Sequence, residues 1–283
     1  MRYLVAALVL AWTAPSQAAG PIRVGAAESV YADIAAQIGG PALTVDVLSK
    51  PKQQARAGDD GAAVNERGLD IVICNGLGYD AWINEFLAHA GARPVVLEAG
   101  RFLPQAPGQH PVAWYDFKAT QALARALAAE LARRDAAESA LFAKRLEIFE
   151  SAMQPLNRKV EEIAAVYAGS NVLLADNLYR SVVDALRLKV QDEGYLKATA
   201  SRSEPDAKSL AALKQSIVAG GASVLIYNSE AKSGAITELV SLANDKGLPV
   251  VGVRETKPAG LNYQQWMLRQ LNITHGALNE AAP

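Results

Sequence analysis

The sequence predicts an α/β protein with two similar lobes, each a parallel sheet flanked by helices, and one long helix that joins the lobes. First, short apolar segments typical of strands alternate with helical segments in both halves of the chain, the pattern of parallel α/β sheets. Second, a stretch in the middle, about residues 120–167, is built almost entirely from helix-favouring residues. Third, a length of 283 residues is enough for about two ordinary domains.

The first half of the chain contains four predicted strands and two predicted helices. The strand at 22–26 precedes a helix at 29–38, which the Gly39-Gly40 pair ends. An amphipathic helix that runs through Trp82 and Phe86 follows the third strand. The other three strands are predicted at 43–48, 69–74 and 94–97.

The middle of the chain predicts two helices with a break near Asp135. The second, about 137–167, keeps apolar residues at helical spacing, and Pro155 inside it should kink it or start a new segment. About 30 helical residues extend roughly 45 Å at about 1.5 Å per residue. A helix of that length suits a connector between two lobes, which makes large hinge closure of the lobes unexpected.

The second half returns to alternating strands and helices. Strands are predicted at 171–175, 223–227 and 249–253, and helices at 178–186 and 263–278. A further helix should start at Ser203-Glu204-Pro205, with Ser203 as its N-cap. We therefore predict a signal peptide, an N-terminal lobe, a linking helix and a C-terminal lobe at 1–19, 20–136, 137–167 and 168–283.

The N-terminus reads as a secretory signal peptide. Arg2 supplies the positive start, residues 4–12 form a short apolar run, and residues 16–19 are suited to cleavage. That run is shorter than the roughly 20 residues that span a bilayer. The only cysteine, Cys74, lies well beyond the leader, so we expect a free periplasmic monomer without a lipid anchor or intramolecular disulfide. A formal charge of -1 lacks the basic footprint of nucleic-acid binding.

Polar residues follow the predicted strands at their carboxyl ends, where parallel α/β sheets bind ligands. In the first half these include Glu28, Lys50 and Asn75. In the second half they include Asp176, and the group Asn228, Glu230 and Glu255. The sequence therefore predicts a ligand site formed by strand ends from both lobes.

Several segments resemble a known family. The sequence Gln-His-Pro-Val-Ala-Trp-Tyr-Asp at 109–116 resembles the Asn-Pro-His-x-Trp motif of the periplasmic metal-binding receptors that serve zinc and manganese ABC importers. Other similar segments occur in the expected order, at 75–82, 227–230, 250–258 and 263–267. The resemblance covers the mature chain and implies two α/β lobes linked by a rigid helix, with the ligand in the cleft between them.

The resemblance implies four metal-ligand positions, and at most two of them keep a suitable residue. The first falls in 49–54, which has no histidine, and the second is occupied by Val112. His110 lies two residues before that position. The third position falls on Asp176, and the fourth on Glu255 or, in an equally good alignment, on Arg254.

The predicted metal site consists of His110, Asp176 and Glu255, with Glu230 behind them. Carboxylates and imidazoles bind zinc at about 2.0 to 2.2 Å, whereas a carboxylate-rich set suits manganese better. Each residue also has a simpler interpretation. His110 could lie in a turn after Pro107-Gly108, and Asp176 could cap a helix that begins at 177 or 178. Glu255 could form an ion pair with Lys257, and Glu230 could be a solvated carboxylate. Trp114 and Cys74 are expected to be buried by packing.

The function implied by the resemblance is capture of a divalent metal, zinc or manganese, as transported ligand, and its delivery to an ABC permease. The motifs of hydrolases, zinc peptidases and phosphate-binding loops are missing from the sequence, so we predict that the protein is not an enzyme. The alternative is a diverged receptor that binds a metal chelate, an anionic small molecule or a periplasmic protein. Val112 supports that alternative, because it replaces an implied ligand. Lys50 and Lys52 support it as well, because their ammonium groups would repel a divalent cation: unit charges ~4 Å apart interact by ~4 kcal/mol at an effective dielectric near 20.

Overall fold

The computed structural model describes residues 20–48, 68–89, 93–104, 112–191, 193–199 and 206–281. Within them lie two four-stranded sheets, and every neighbouring pair of strands is parallel. The first sheet has the order β2-β1-β3-β4 and the second the order β6-β5-β7-β8. Each sheet and its helices form one lobe, which confirms the predicted fold class.

The first lobe is built on four short strands whose carboxyl ends lie at the same edge. They are β1 Ile22–Ala26, β2 Leu43–Val47, β3 Ile71–Cys74 and β4 Val95–Glu98. The central strand β3 is buried along its whole length, as its continuous apolar sequence Ile-Val-Ile-Cys requires. Helices α1 Ser29–Gly39 and α2 Trp82–His89 follow β1 and β3, and short 3₁₀ turns occupy Gly40–Ala42 and Ala99–Phe102.

Two helices follow the first sheet in sequence and precede the second. They are α3 Phe117–Arg134 and α4 Ser139–Tyr167. Asp116 caps α3, since its carboxylate accepts the amide of Ala119 at 2.8 Å. Helix α3 ends at Asp135, where the sequence predicted a break. Pro155 lies inside α4 without starting a new helix, so α4 runs for 29 residues, about 44 Å at about 1.5 Å per residue.

The second lobe contains four strands and five helices among the described residues. The strands are β5 Asn171–Leu174, β6 Lys189–Val190, β7 Val224–Asn228 and β8 Val250–Val253. The helices are α5 Arg180–Ala185, α6 Glu193–Thr199, α7 Ala207–Ala219, α8 Gly234–Asp245 and α9 Tyr263–Glu280. Strand β6 and helices α6 and α8 have no counterpart among the elements predicted from the sequence.

The predicted start of α7 was wrong. The helix begins at Ala207, and its N-cap is Asp206, whose carboxylate accepts the amide of Ser209 at 2.8 Å. Aspartate is as good an N-cap as serine and stands directly before the helical residues, so it takes the role assigned to Ser203. Residues 200–205, including Ser203, lie outside the described part of the chain.

The last helix, α9, returns to the first lobe. The two lobes are therefore connected by α9 as well as by α4. Helix α9 packs along α4 and its first turn reaches α1. The amide of Tyr263 donates to Asp33 at 2.8 Å, and the side-chain amides of Gln37 and Gln264 exchange two hydrogen bonds of 3.0 Å. The Tyr263 hydroxyl donates to the carbonyl of Trp114 at 2.7 Å. One continuous buried core runs through both lobes as a result.

No helix in the described ranges has the length and apolar character needed to cross a bilayer. Cys74 is the free cysteine at the end of β3 and is 6% exposed. Burial, together with the nearby carboxylates Asp80 and Glu98, raises the pKa of its thiol to about 12. The thiol is therefore uncharged at neutral pH and packs as a small apolar side chain, as predicted.

Candidate functional site

Segments at the carboxyl ends of strands from both sheets meet at one place, which we call the lobe junction. It consists of residues 75–80 and 112–116 from the first lobe and 175–179, 228–230 and 254–256 from the second. Two tyrosine hydroxyls cross it: Tyr79 donates to Glu255 Oε1 at 2.6 Å, and Tyr115 donates to the carbonyl oxygen of Arg254 at 2.6 Å. The position agrees with the rule that parallel α/β sheets bind ligands beyond their carboxyl ends.

Asn75 organises the first lobe's side of the junction. It is fully buried directly after β3, and its Oδ1 accepts the Tyr31 hydroxyl at 2.7 Å and the Ala113 amide at 2.8 Å. Asp80, also buried, accepts the amides of Asn75 at 2.5 Å and Gly76 at 2.8 Å. Burial raises the pKa of Asp80 despite these two bonds. The network joins the loop after β3 to the segment that begins at residue 112.

The segment 112–116 is packed into the first lobe. Trp114 is 1% exposed and meets the rings of Tyr31 and Tyr79 edge-on, with centroids 5.9 and 5.2 Å apart. Trp114 therefore packs rather than contacting a ligand, as the sequence predicted. Val112, at the position where the resemblance implies a histidine ligand, is 1% exposed in the apolar core. An aliphatic side chain there supplies no donor to a metal.

Asp176 follows β5 and is held by two backbone amides. Its Oδ1 accepts from Leu178 at 2.7 Å and its Oδ2 from Asn228 at 2.9 Å. Burial raises the pKa of Asp176, and the negative charge of Glu255 raises it further. The bond to Leu178 is the capping interaction that the sequence offered as the simpler interpretation, although α5 itself begins at Arg180. Asp176 thus stabilises its turn while lying beside a second carboxylate.

Glu255 lies at the centre of the junction. Its Oε1 accepts from Tyr79 of the first lobe, and its Oε2 accepts the side-chain amide of Asn228 at 2.9 Å. The alternative that paired Glu255 with Lys257 is wrong, because the Lys257 ammonium instead donates to the carbonyl of Leu261 at 2.6 Å. The backbone carbonyls after β8 satisfy that lysine, so Glu255 turns inward.

Glu230 supports the loop after β8 and is not simply solvated. Its Oε2 accepts the amides of Glu255 and Thr256 at 2.9 and 2.8 Å, and its Oε1 accepts from the Thr256 hydroxyl at 2.6 Å and from Arg254 at 2.5 Å. Burial raises the pKa of Glu230, but these hydrogen bonds and the Arg254 charge outweigh it, so the pKa lies below its ordinary value. Glu230 therefore fixes the backbone that carries Glu255.

The structure brings together three of the four predicted site residues. Asp176 and Glu255 share Asn228, and Glu230 holds the adjacent loop. His110 lies outside the described residues, as do Lys50, Lys52 and the segment 49–54. Among the described residues no three side chains of histidine, cysteine, aspartate or glutamate are grouped as a metal would need. The described part of the site therefore offers two neighbouring carboxylates, with hydroxyl and amide groups around them.

Sequence reasoning missed the two tyrosines that connect the lobes. Tyr79 and Tyr115 lie inside segments that were singled out, 75–82 and 109–116, but their hydroxyls had no assigned role. Their partners are 176 and 139 residues away in the chain. Only their position within the two motifs could have drawn attention to them.

Over residues 24–275 the chain matches the family model for the zinc-uptake complex component A, periplasmic, or ZnuA. The sequence matches no curated protein.

Three solved structures illustrate the similarity of fold. The periplasmic zinc binding protein TroA from Treponema pallidum has a TM-score of 0.71 and 16% identity, covering 92% of this chain and 99% of that one. A periplasmic metal binding protein from Candidatus Liberibacter asiaticus has a TM-score of 0.72 and 13% identity, covering 90% and 99%. FpvC from Pseudomonas aeruginosa, in complex with Mn²⁺, has a TM-score of 0.72 and 18% identity, covering 93% and 100%.

Proposed function

Because the chain belongs to the family of the periplasmic zinc-uptake component ZnuA, we propose that it is the solute receptor of a metal-type ABC importer. In this role it captures a divalent transition metal, zinc or manganese, as transported cargo and delivers it to a membrane permease. The family consists of periplasmic metal-binding proteins that work with ABC permeases, and its members are solute-binding proteins rather than enzymes. The predicted signal peptide at 1–19 would direct the chain to the periplasm.

The proposal also keeps the predicted division of the chain into functional parts. Residues 20–136 and 168–283 would be the two lobes that enclose the cargo, and 137–167 the helix that holds them at a constant distance. Because α9 adds a second connection to the first lobe, we expect capture to involve local loop movement rather than wide hinge closure. The receptor would act as a monomer.

The observation that supports the proposal most directly is the position of Glu255 between the lobes, beside Asp176. Both carboxylates are bonded to Asn228, and both follow strand ends of the second sheet. Burial disfavours the ionised form of Asp176, and the negative charge of Glu255 disfavours it further. Both effects raise the pKa of Asp176. A divalent cation between the lobes would neutralise that charge.

The proposed ligand set is Asp176, Glu255 and His110, with Glu230 as the supporting carboxylate behind them. Two carboxylates and one imidazole leave at least one position of a tetrahedral zinc ion for water. We therefore expect weaker binding than a complete set of protein ligands provides. Most of the proposed ligands donate oxygen atoms. The site should therefore suit manganese better than a histidine-rich site does, because carboxylates suit the harder ion.

Calorimetric titration of zinc, and then manganese, into chelator-stripped mature protein tests the proposal. We expect saturable one-to-one binding at micromolar affinity or better. Asp176→Ala and Glu255→Ala should each weaken it by at least the ~10- to 100-fold that loss of an outer-shell partner costs. Glu147→Ala is the matched control, since that carboxylate is 68% exposed on α4 and pairs with Lys144 on the same helix. The control should bind like the wild type.

The absence of both heat and thermal stabilisation with either metal would refute free-metal capture. The diverged receptor would then be the better account, with a chelate, an anionic small molecule or a periplasmic protein as ligand. Val112 favours that reading, because it places a buried aliphatic side chain at an implied ligand position. Unchanged metal affinity in Asp176→Ala would instead remove Asp176 from the site and leave the receptor function standing.

A further inference from the structure

We propose that Tyr79 sets the affinity of the site by competing with the ligand for Glu255, and that their hydrogen bond is a latch whose release is transmitted to the loop of residues 75–79. The inference rests on the proposed function, since competition requires a ligand that uses Glu255. Tyr79 is not assigned as a metal ligand here. Its role is to hold the carboxylate in the ligand-free protein and to yield it when cargo binds.

The first step is that both oxygens of Glu255 already have hydrogen-bond donors. Asn228, from the same lobe, donates to Oε2 at 2.9 Å, and Tyr79, from the other lobe, donates to Oε1 at 2.6 Å. A distance of 2.6 Å is typical of a hydroxyl bound to an ionised carboxylate, one of the stronger classes of hydrogen bond. Both carboxylate oxygens of Glu255 therefore accept hydrogen bonds from the protein itself.

The second step is that the two donors are not equally easy to displace. Asn228 is bound at three points, because its amide donates to Asp176 and its Oδ1 accepts the amide of Glu230 at 2.9 Å. Tyr79 reaches Glu255 through a single rotatable hydroxyl at the end of its ring. A cation approaching Oε1 is repelled by the hydroxyl hydrogen that points at the same oxygen. Binding at the lone pair that the hydroxyl occupies requires Tyr79 to turn that hydrogen away, while Asn228 remains in place.

The third step is that Tyr79 ends a loop with an unusual backbone. Gly76, Leu77 and Gly78 have φ angles of 74°, 54° and 78°, three consecutive left-handed residues. For Leu77, which carries a Cβ atom, this conformation is strained because the Cβ atom lies close to the following carbonyl oxygen. Asp80 holds the start of the loop by accepting the amides of Asn75 and Gly76. Release of the Tyr79 hydroxyl removes the hydrogen bond that joins the other end of this strained segment to the second lobe.

The loop also exposes a surface that could report the change. The Leu77 side chain is 56% exposed and packs over Gly100, where an added Cβ atom would lie 2.6 Å from Leu77 Cγ. Trp114 is the natural spectroscopic reporter, because its ring contacts that of Tyr79 edge-on at 5.2 Å. Loss of the latch should therefore change both the exchange of the loop amides and the emission of a buried tryptophan.

Tyr79→Phe tests the latch, because it removes the hydroxyl and keeps the ring against Trp114. Tyr115→Phe is the matched comparison, since that hydroxyl also crosses the junction but donates to a backbone carbonyl and not to Glu255. In zinc and manganese titrations we expect Tyr79→Phe to bind about tenfold more tightly than the wild type, the change expected when a hydrogen bond to a charged group no longer competes. Tyr115→Phe should change the affinity less than Tyr79→Phe does on the same scale.

Hydrogen exchange of the metal-free proteins gives an independent reading. Tyr79→Phe should increase amide exchange in residues 76–80 relative to the wild type, and saturating metal should produce the same increase in the wild type. Equal or weaker metal binding by Tyr79→Phe would overturn the competition, as would an equal gain in Tyr115→Phe, which would indicate general loosening of the lobes. Unchanged exchange in metal-free Tyr79→Phe would overturn the latch itself.

The two proposals fail in different ways. If the wild type and both variants bind neither zinc nor manganese, the proposed function fails and the competition fails with it. If the wild type binds metal and Tyr79→Phe binds with the same affinity, the competition alone fails.

Discussion

Replacing Asn75 with alanine should strongly destabilise the protein, because its side chain is fully buried at the lobe junction. Asn75 is fully buried, and its Oδ1 accepts both the Tyr31 hydroxyl and the Ala113 amide, at 2.7 and 2.8 Å. In Asn75→Ala both donors lose their acceptor in a site from which water is excluded. The segment that begins at residue 112 loses its side-chain connection to the end of β3 at the same time.

The size of the effect follows from counting the groups left without a partner. Each buried donor deprived of its acceptor costs about 1–3 kcal/mol, so two donors should cost about 2–6 kcal/mol. Tyr31→Phe removes one of the donors and leaves Asn75 bound to Ala113, which should cost only about 1 kcal/mol. Asn171→Ala, at an exposed position with one 3.3 Å contact to Gly221, should change stability by less than about 0.5 kcal/mol.

Equilibrium urea unfolding at neutral pH, followed by circular dichroism, measures all three variants against the wild type. The expected order of midpoints is wild type and Asn171→Ala highest, then Tyr31→Phe, then Asn75→Ala. An Asn75→Ala protein within about 1 kcal/mol of the wild type would refute the reasoning, because two buried donors would then have found other partners. A fall in Asn171→Ala as large as that in Asn75→Ala would point to a non-specific effect of asparagine loss.

The remaining predictions concern the loop after β8, the loop after β3 and the first turn of α9. Glu230→Gln should lower stability at pH 7 by about 1–2 kcal/mol, since one acceptor and the charge are lost. The folded-state pKa of Glu230 lies below its ordinary value of 4.5, so ionised Glu230 stabilises the fold above that pH. This stabilisation disappears as the pH falls through the lowered pKa. Thermal melts at pH 7 and pH 3 should therefore show a smaller difference between wild type and variant at the lower pH. Gly76→Ala should destabilise more than Gly78→Ala in thermal melts: both have positive φ, but only at Gly76 would the new Cβ atom lie 2.0 Å from Glu98 Oε1. Equal effects would mean that Glu98 moves aside freely. Tyr263→Phe should cost about 1 kcal/mol in urea unfolding, since its hydroxyl donates to a buried carbonyl, and no loss would contradict that role.

Regular elements with a clear apolar pattern were predictable from the sequence. Strands β1 and β3 and helices α1, α3 and α9 begin or end within about three residues of their predicted positions, because burial on one or both faces imposes a period on the sequence. Strand β6 has only two residues, too few for alternation to show. Helix α8 begins with Gly234 and contains several β-branched residues, so its propensity is weak and packing of its buried positions stabilises it instead.

The candidate site was predictable in position but not in its contacts. The carboxylates at strand ends followed from the rule for parallel sheets. The structure brings Asp176 and Glu255 to one residue, Asn228, whose backbone amide donates to Asp176 and whose side-chain amide donates to Glu255. The hydrogen bond from Tyr79 to Glu255 depends on how two lobes face one another across 176 residues of chain, which no local periodicity encodes. The rotation of Lys257 toward the carbonyl of Leu261 is likewise set by the conformation of one loop.

The return of α9 to the first lobe has a consequence for the order in which the chain acquires its structure during synthesis. Asp33 and Trp114 accept hydrogen bonds from Tyr263, which is 230 and 149 residues later in the chain. At about 5–20 residues per second, Asp33 leaves the ribosome roughly ten seconds or more before its partner does. The first sheet can form early, but the surface that α9 covers stays open until residues 263–280 have been made. The first lobe therefore cannot complete its packing before this late segment is available.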